Sequence, residues 1–477
     1  MLKSVELLIN LGYSKKDAED ITSSYQLVNY KDETLCKKIN ENFNYLISLG
    51  YTKADVIKMT KSLSALYGLS KENIKVKIVF LISLGYTKTD VIKMTKSFPS
   101  LYSLSKETIE DKISFLISLG YTKADIIKMT KSLPTLYGLS KETIEDKISF
   151  LISLGYTKAD VIKMTKSFPS LYSLSKETLE EKISFLISLG YTKVDVIKMT
   201  KSLPSLYGYG KENIEEKISF LINLGYTKAD VIKMTKSLPQ LYNYSKETIE
   251  EKISFLISLG YTKADVIKMA KFLPELYSLS KENIEEKISF LISLGYTKAD
   301  VIKMAKFLPA LYSYSKENIE EKISFLISLG YTKADVIKMT KILPTLYSYS
   351  KENIKDKIKF LISLGYTKTD VINMTKNLPS LYGLSKENIE VKIKYLKDIS
   401  LEDVAINDTK QLIQSALLTY ARYEFLTKER GILIDETNYN KLFCNETSFK
   451  KQYGVSKDEL LKKYSYSYEK YKESIIS

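Results

Sequence analysis

The chain contains no histidine among its 477 residues. That removes imidazole bases, Ser–His triads, His-ligated metals and His-ligated haem together. Cysteine is nearly absent. Cys36 and Cys444 stand far apart in dissimilar stretches and give neither a disulfide frame nor metal-ligand spacing, so both are expected as reduced thiols. Arginine occurs only at Arg422 and Arg430, while lysine dominates a net charge of +15. No run of about 18 apolar residues occurs, so no transmembrane helix is expected. The one glycine-rich spot, Gly208-Tyr209-Gly210-Lys211, lacks the spacing and the following Ser or Thr of a phosphate loop. No pair of carboxylates stands out. Neither catalysis nor a metal or cofactor is expected. The opening residues, MLKSVELLINLGYSKKDAEDI, have no long apolar stretch and no Arg-rich, acid-poor composition, which predicts a bacterial-type cytoplasmic protein.

What is present is repetition. A block of 35 residues recurs ten times, with Gly50, Gly85, Gly120 and onward to Gly365 keeping the beat. All nine prolines fall on the same period, from Pro99 to Pro379. The unit reads LPxLYxLSKExIExKIxFLISLGYTKADVIKMTKS. A fixed period of this size marks a solenoid, whose units cannot bury their apolar faces alone and do so by stacking. The predicted fold is an all-α solenoid superhelix. Residues 1–40 form a degenerate N-terminal capping repeat, 41–396 the repeats and 397–477 a different helical C-terminal cap. Gly12-Tyr13-Ser14 echoes the later Gly-Tyr-Thr, and the spelling fails after Ile393.

One repeat, Ser105 to Tyr137, predicts two helices and a short turn. Ser105 is an N-cap and Glu107 an anion in the first turn. Ile109, Ile113 and Leu116 fall at i, i+4, i+7, with Phe115, Ile117 and Leu119 widening the apolar side. Gly120 ends this helix where positive φ is usual. Thr122 and Asp125 form a capping box for the second helix, whose buried face is Ile126, Met129, Thr130 and Leu133. Ser132 is expected to cap the third turn, which holds Pro134, Leu136 and Tyr137.

Charge is divided between the two helices. The first carries Glu107, Glu110 and Asp111 against Lys106 and Lys112; the second carries Lys123, Lys128 and Lys131 against Asp125. Stacking sets equivalent residues in register. Lys58, Lys93, Lys128, Lys163, Lys198, Lys233, Lys268, Lys303 and Lys338 make one rail, broken at Asn373. Lys61, Lys96, Lys131, Lys166, Lys201, Lys236, Lys271, Lys306, Lys341 and Lys376 make a second. Long basic rails suit a phosphate backbone. The alternative is a solvated outer face with Asp125–Lys128 pairs at i, i+3. The repeats vary most in two slots: after the proline, including Gln240, and at the end of the second helix. The latter is Ser from Ser62 to Ser237, then Phe272, Phe307, Ile342 and Asn377. Gln240, Phe272, Phe307, Ile342 and Asn377 are the candidate base-contacting residues; drift at tolerant positions explains the same variation.

The unit resembles the repeat of the mitochondrial transcription termination factor (mTERF) family. The likeness rests on Leu133-Pro134-Thr135-Leu136, on the Ser-Lys-Glu helix start with Lys112–Leu116, and on Leu49–Met59. It covers roughly residues 41–396. Leu418–Gly431 looks like the family's closing helix and Phe449–Tyr464 like its tail. The resemblance implies a left-handed superhelix of helical triplets with a basic concave groove for duplex DNA, in members that act in transcription, some of them on RNA. A bacterial relative fits this sequence best. A fainter likeness to transcription activator-like repeats ranks lower, because their proline lies elsewhere. The expected partner is double-stranded DNA bound by a monomer without chemistry. RNA binding and a protein-interaction scaffold are the alternatives.

Overall fold

In a computed structural model the structure describes residues 2–476. Among these residues there is no strand, and no helix is long and apolar enough to cross a membrane. The chain is an all-α solenoid that divides into two compact units, Met1–Lys246 and Glu247–Ser477.

Within each unit the period becomes a triplet: a 14-residue helix, a 10-residue helix and a 3₁₀ turn. Lys106–Leu119, Lys123–Ser132 and Pro134–Gly138 are one such set. The Ser105 hydroxyl accepts the Thr108 N–H at 3.0 Å, which caps one of the helix's free donors. At the other end Gly120 adopts φ +112° and donates to Ile117, while Tyr121 donates back to Leu116 at 3.2 Å. This is a Schellman closure, in which the left-handed residue lets the chain reverse with its last carbonyls satisfied. Space is tight at some of these glycines as well. A Cβ on Gly120 would stand 3.3 Å from Ile162 Cδ1 of the next repeat, and one on Gly190 only 2.9 Å from Ile232 Cδ1. The second helix opens on the predicted capping box, with Thr122 N–H donating to Asp125 Oδ2 and Asp125 N–H to Thr122 Oγ1.

Two local expectations are corrected. Ser132 does not cap the 3₁₀ turn. Its hydroxyl donates back to the Met129 carbonyl at 3.0 Å, and the turn follows from Leu133 with proline at its start. Ile117 does not widen the buried side; it is 48% exposed. The place on the apolar face goes instead to Lys112, which is buried. Lys112 lies three residues after Ile109 and four before Leu116, so it must share their face.

Three polar ties join successive repeats around an apolar core of Ile109, Leu116, Ile126, Met129 and Leu136, each fully buried. Each such side chain contributes about 1.5–3 kcal/mol on burial. The first tie is a buried hydroxyl chain. Tyr121 bonds Thr165 at 2.6 Å and Tyr172 at 2.7 Å, both in the following repeat. Thr165 spends its proton on the Val161 carbonyl, so Tyr121 must donate to Thr165 and Tyr172 to Tyr121. Burial raises the Tyr121 phenol above its ordinary value. The second tie is the buried lysine. Lys112 Nζ donates to the Leu139 carbonyl at the end of the next 3₁₀ turn, and its ammonium lies 5.8 Å from the Phe115 ring centre. Desolvation pulls its pKa down. The third tie is a partly exposed ion pair, Lys166 to Asp125 at 2.8 Å.

The ends reuse these ties with other letters. Tyr13 bonds Thr60 and Tyr67, so the degenerate opening repeat joins the hydroxyl chain. Asn42 replaces the buried lysine and donates to the Leu66, Tyr67 and Leu69 carbonyls. Repeat geometry also outlasts repeat spelling. Helix Lys386–Asp398 ends near Ser400, which stands 35 residues after Gly365 and takes φ +55°, and Lys392 donates to the Leu412 carbonyl. Beyond it, helix Ala416–Glu424 packs on the 20-residue helix Lys457–Ile476 through Tyr420, Tyr468 and Tyr471. Arg422 is buried there, donating to the Leu442 and Cys444 carbonyls with its guanidinium over Phe449.

Candidate nucleic-acid interface

The second helix of each repeat positions the candidate site. Ile126, Met129 and Thr130 bury one face of Lys123–Ser132, which turns Ala124, Lys128 and Ser132, at i, i+4, i+8, to solvent. The same reasoning applies at each repeat, and all nine lysines from Lys58 to Lys338 are exposed. Among the described residues none of these nine forms an ion pair. Asn373, where the row breaks, is exposed as well.

The second rail is placed differently. Lys96, Lys131, Lys166, Lys201 and Lys236 each reach back to the capping-box aspartate of the preceding repeat, at 2.7–2.8 Å. Lys306 and Lys341 do the same to Asp265 and Asp300, and Lys376 to Asp335 at 3.3 Å. Lys61 pairs with Asp17 at 3.1 Å. Lys271 also has a partner. The Asp125 carboxylate takes the Lys166 ammonium, the Thr122 hydroxyl and the Thr122 N–H, and these hold it down at about 2. Asp125 therefore pairs across the interface rather than with Lys128 on its own helix. Such pairs are partly exposed and are worth about 0–1 kcal/mol each.

Counting exposed charge on this one repeat separates two faces. The second helix carries three lysines and one aspartate, a sum of +2. The exposed positions of the first carry Lys106 against Glu107, Glu110 and Asp111, a sum of −2. Lys112 belongs to neither, being buried. Ten lysines, from Lys77 to Lys392 at the 35-residue period, are removed from solvent in this way. The net charge thus overstates what a partner meets, and the sign of each face carries the information. Sequence reasoning counted Lys112 as a surface charge. Its spacing from Ile109 and Leu116 was the available signal.

The variable slots fall in three groups. Gln240 has its amide engaged, donating to Ser202 Oγ at 2.9 Å. Asn377 is exposed. Phe272, Phe307 and Ile342 stand out from the helix ends with exposures of 71%, 66% and 57%.

A family model described as mTERF matches residues 1–117, 100–223, 207–327 and 277–450, so the matches run without a gap from 1 to 450. No curated protein matches the chain. Triplets of two helices and a proline-started turn, repeated under four overlapping family matches, make this chain a member of the mTERF family, whose helical repeats bind nucleic acid.

Proposed function

We propose that the chain binds the phosphate backbone of duplex DNA along the exposed row Lys58 to Lys233 of the Met1–Lys246 unit, and acts in transcription by occupying its site rather than by chemistry. One observation carries this reading: the same lysine on successive second helices is exposed and free of ion pairs, while its neighbour three residues on is spent on structure. An ammonium on a flexible stem suits phosphate, whereas base discrimination leans on the bidentate geometry of Arg, Asn or Gln. No Arg stands in the repeats, Gln240 is engaged, and the exposed asparagines of the second helices, Asn373 and Asn377, are confined to Lys368–Asn377. Sequence preference then arises from DNA shape and deformability.

The test compares the two rails. Lys128, Lys163 and Lys198 changed together to Gln should cost most of the affinity for duplex DNA. The log–log salt slope should fall by about 0.9 for each phosphate no longer neutralised, with no change in Tm. Lys131, Lys166 and Lys201 changed to Gln should lower Tm and affect binding less. Equal falls in affinity from both sets, or binding indifferent to salt, would overturn the assignment. The same titration with duplex RNA decides between the two nucleic acids.

A further inference from the structure

The lysine row changes character between Phe272 and Ile342. At the end of the second helix the slot is Ser through Ser237, then Phe272, Phe307 and Ile342, then Asn377. All three apolar side chains are more than half exposed, and each lies four residues after an exposed lysine of the row: Lys268, Lys303 and Lys338. Large apolar groups in water are ordinary singly, but three in register are a patch. The helices that bear them pack on one another in turn. Phe272 and Phe307 line a single open groove of about 410 Å³ together with Leu273, Leu308 and Pro309.

This patch is poorly suited to a phosphate backbone, since burying phosphate beside Phe and Ile strips its water without giving a partner. Nor is base stacking the shared property of the three residues, because Ile342 has no ring. What they share is apolarity flanked by positive charge. We propose that this face of the Glu247–Ser477 unit is a docking surface for an acidic amphipathic α-helix of a protein partner, distinct from the nucleic-acid contacts of the serine-slot repeats. The periods agree. Packed helices stand about 8–10 Å apart, and seven residues of an α-helix advance about 10 Å. A helix laid across the stack therefore brings apolar residues at i, i+7 and i+14 to Phe272, Phe307 and Ile342 in turn. Acidic residues on its flank meet Lys268, Lys303 and Lys338. Beyond Ile342 the slot turns polar at Asn377, which bounds the contact on that side as a polar rim bounds an interface.

The test uses the full chain and a fluorescein-labelled synthetic helix of three heptads, with leucine at the first and fourth positions of each heptad and glutamate flanking them. Anisotropy should show saturable binding in the micromolar range. Phe272→Ser, Phe307→Ser and Ile342→Ser together should weaken it at least about tenfold; serine already occupies this slot in the earlier repeats, so folding should be kept. The corresponding triple leucine variant should bind like the wild type. Duplex DNA, titrated in parallel, should bind the serine variant within about twofold of wild type. Peptide binding that is absent, or unchanged by the serines, overturns the proposal. So does a matching fall in DNA affinity, which would give the patch to nucleic acid. Concentration-dependent dimers in sedimentation, abolished in the serine variant, would also overturn it by making a second copy of the chain the occupant. A chain that binds the peptide but no DNA would refute the proposed function and leave this inference standing.

Discussion

The two compact units are built on the same 35 residues and solve the same stacking problem, yet the repeat that holds Ala305 and Phe307 departs from those of the first unit at two points. In Met1–Lys246 the buried hydroxyl chain is complete at Tyr121, Thr165 and Tyr172, and the second helices end in Ser. In Glu247–Ser477, Ala305 replaces the threonine, so Tyr261 bonds Tyr312 alone, and the helix end two residues on is Phe307. One change is interior and removes a hydrogen bond; the other is exterior and adds an apolar surface. A repeat protein separates these consequences because its interior is fixed by neighbours, while its exterior answers only to solvent and partners.

The largest effect should come from the glycine beat. Gly190 has φ +116°, and an added Cβ would stand 2.9 Å from Ile232 Cδ1, whereas at Gly330, φ +121°, the nearest atom of Ile372 is 3.9 Å away. Gly190→Ala should cost about 3 kcal/mol, from the left-handed backbone and the collision together. Gly330→Ala should cost about 1–2 kcal/mol from the backbone alone. Denaturant unfolding of both variants measures the gap, and equal costs would mean that the Ile contact yields freely.

The next effect is strongest in the second unit. Burial pulls Lys392 down to about 8. The unfolded chain keeps its ordinary value of 10.5, so between these limits it holds the proton that the folded chain has released, and stability rises with pH. The share of the gain due to Lys392 from pH 7 to 10 should be on the order of 2 kcal/mol, and Lys392→Met should remove that share while leaving the contribution of the other buried lysines, such as Lys112. Above the ordinary tyrosine pKa the sign reverses, because buried phenols such as Tyr121 and Tyr172 stay protonated when folded and ionise when unfolded.

The hydroxyl chain should give smaller, opposite changes in the two units. Thr165→Ala should destabilise by about 1 kcal/mol, and Ala305→Thr, which restores a second partner to Tyr261, should stabilise by up to about 1 kcal/mol. Hydrogen exchange at the corresponding repeats reads each locally. The smallest effect belongs to the exterior. Ser167→Phe, which writes the second unit's slot into the first, should change stability by no more than about 0.5 kcal/mol, while adding apolar surface beside Lys163.

The triplet was legible in the sequence because its determinants are local. Ser105, Gly120, Thr122 with Asp125, and Pro134 act within a few residues of themselves, and the period then copies their effect. The ties between repeats were not legible, because nothing local marks a partner 27 or 44 residues away. Lys112 reads as a surface charge until the Leu139 carbonyl is placed above it, and Lys131 reads like Lys128 until Asp90 is found beside it. Ser400 illustrates the same limit at the end of the repeats. Its letter breaks the glycine pattern, while its backbone keeps it.

The ties have a consequence for heredity. Each spans fewer residues than two periods and joins a repeat only to its immediate neighbour: Tyr121 to Thr165 and Tyr172, Lys112 to Leu139, Lys166 to Asp125. Excising any 35 consecutive residues among the uniform repeats would bring together partners of the same kind at the same offsets, and inserting 35 would do likewise. Slippage between nearly identical gene segments would then lengthen or shorten the protein in whole steps without a misfit at any joint. Each step would add or remove one lysine of the row that contains Lys128, so that copy number itself becomes a heritable dial on how many such lysines the molecule carries.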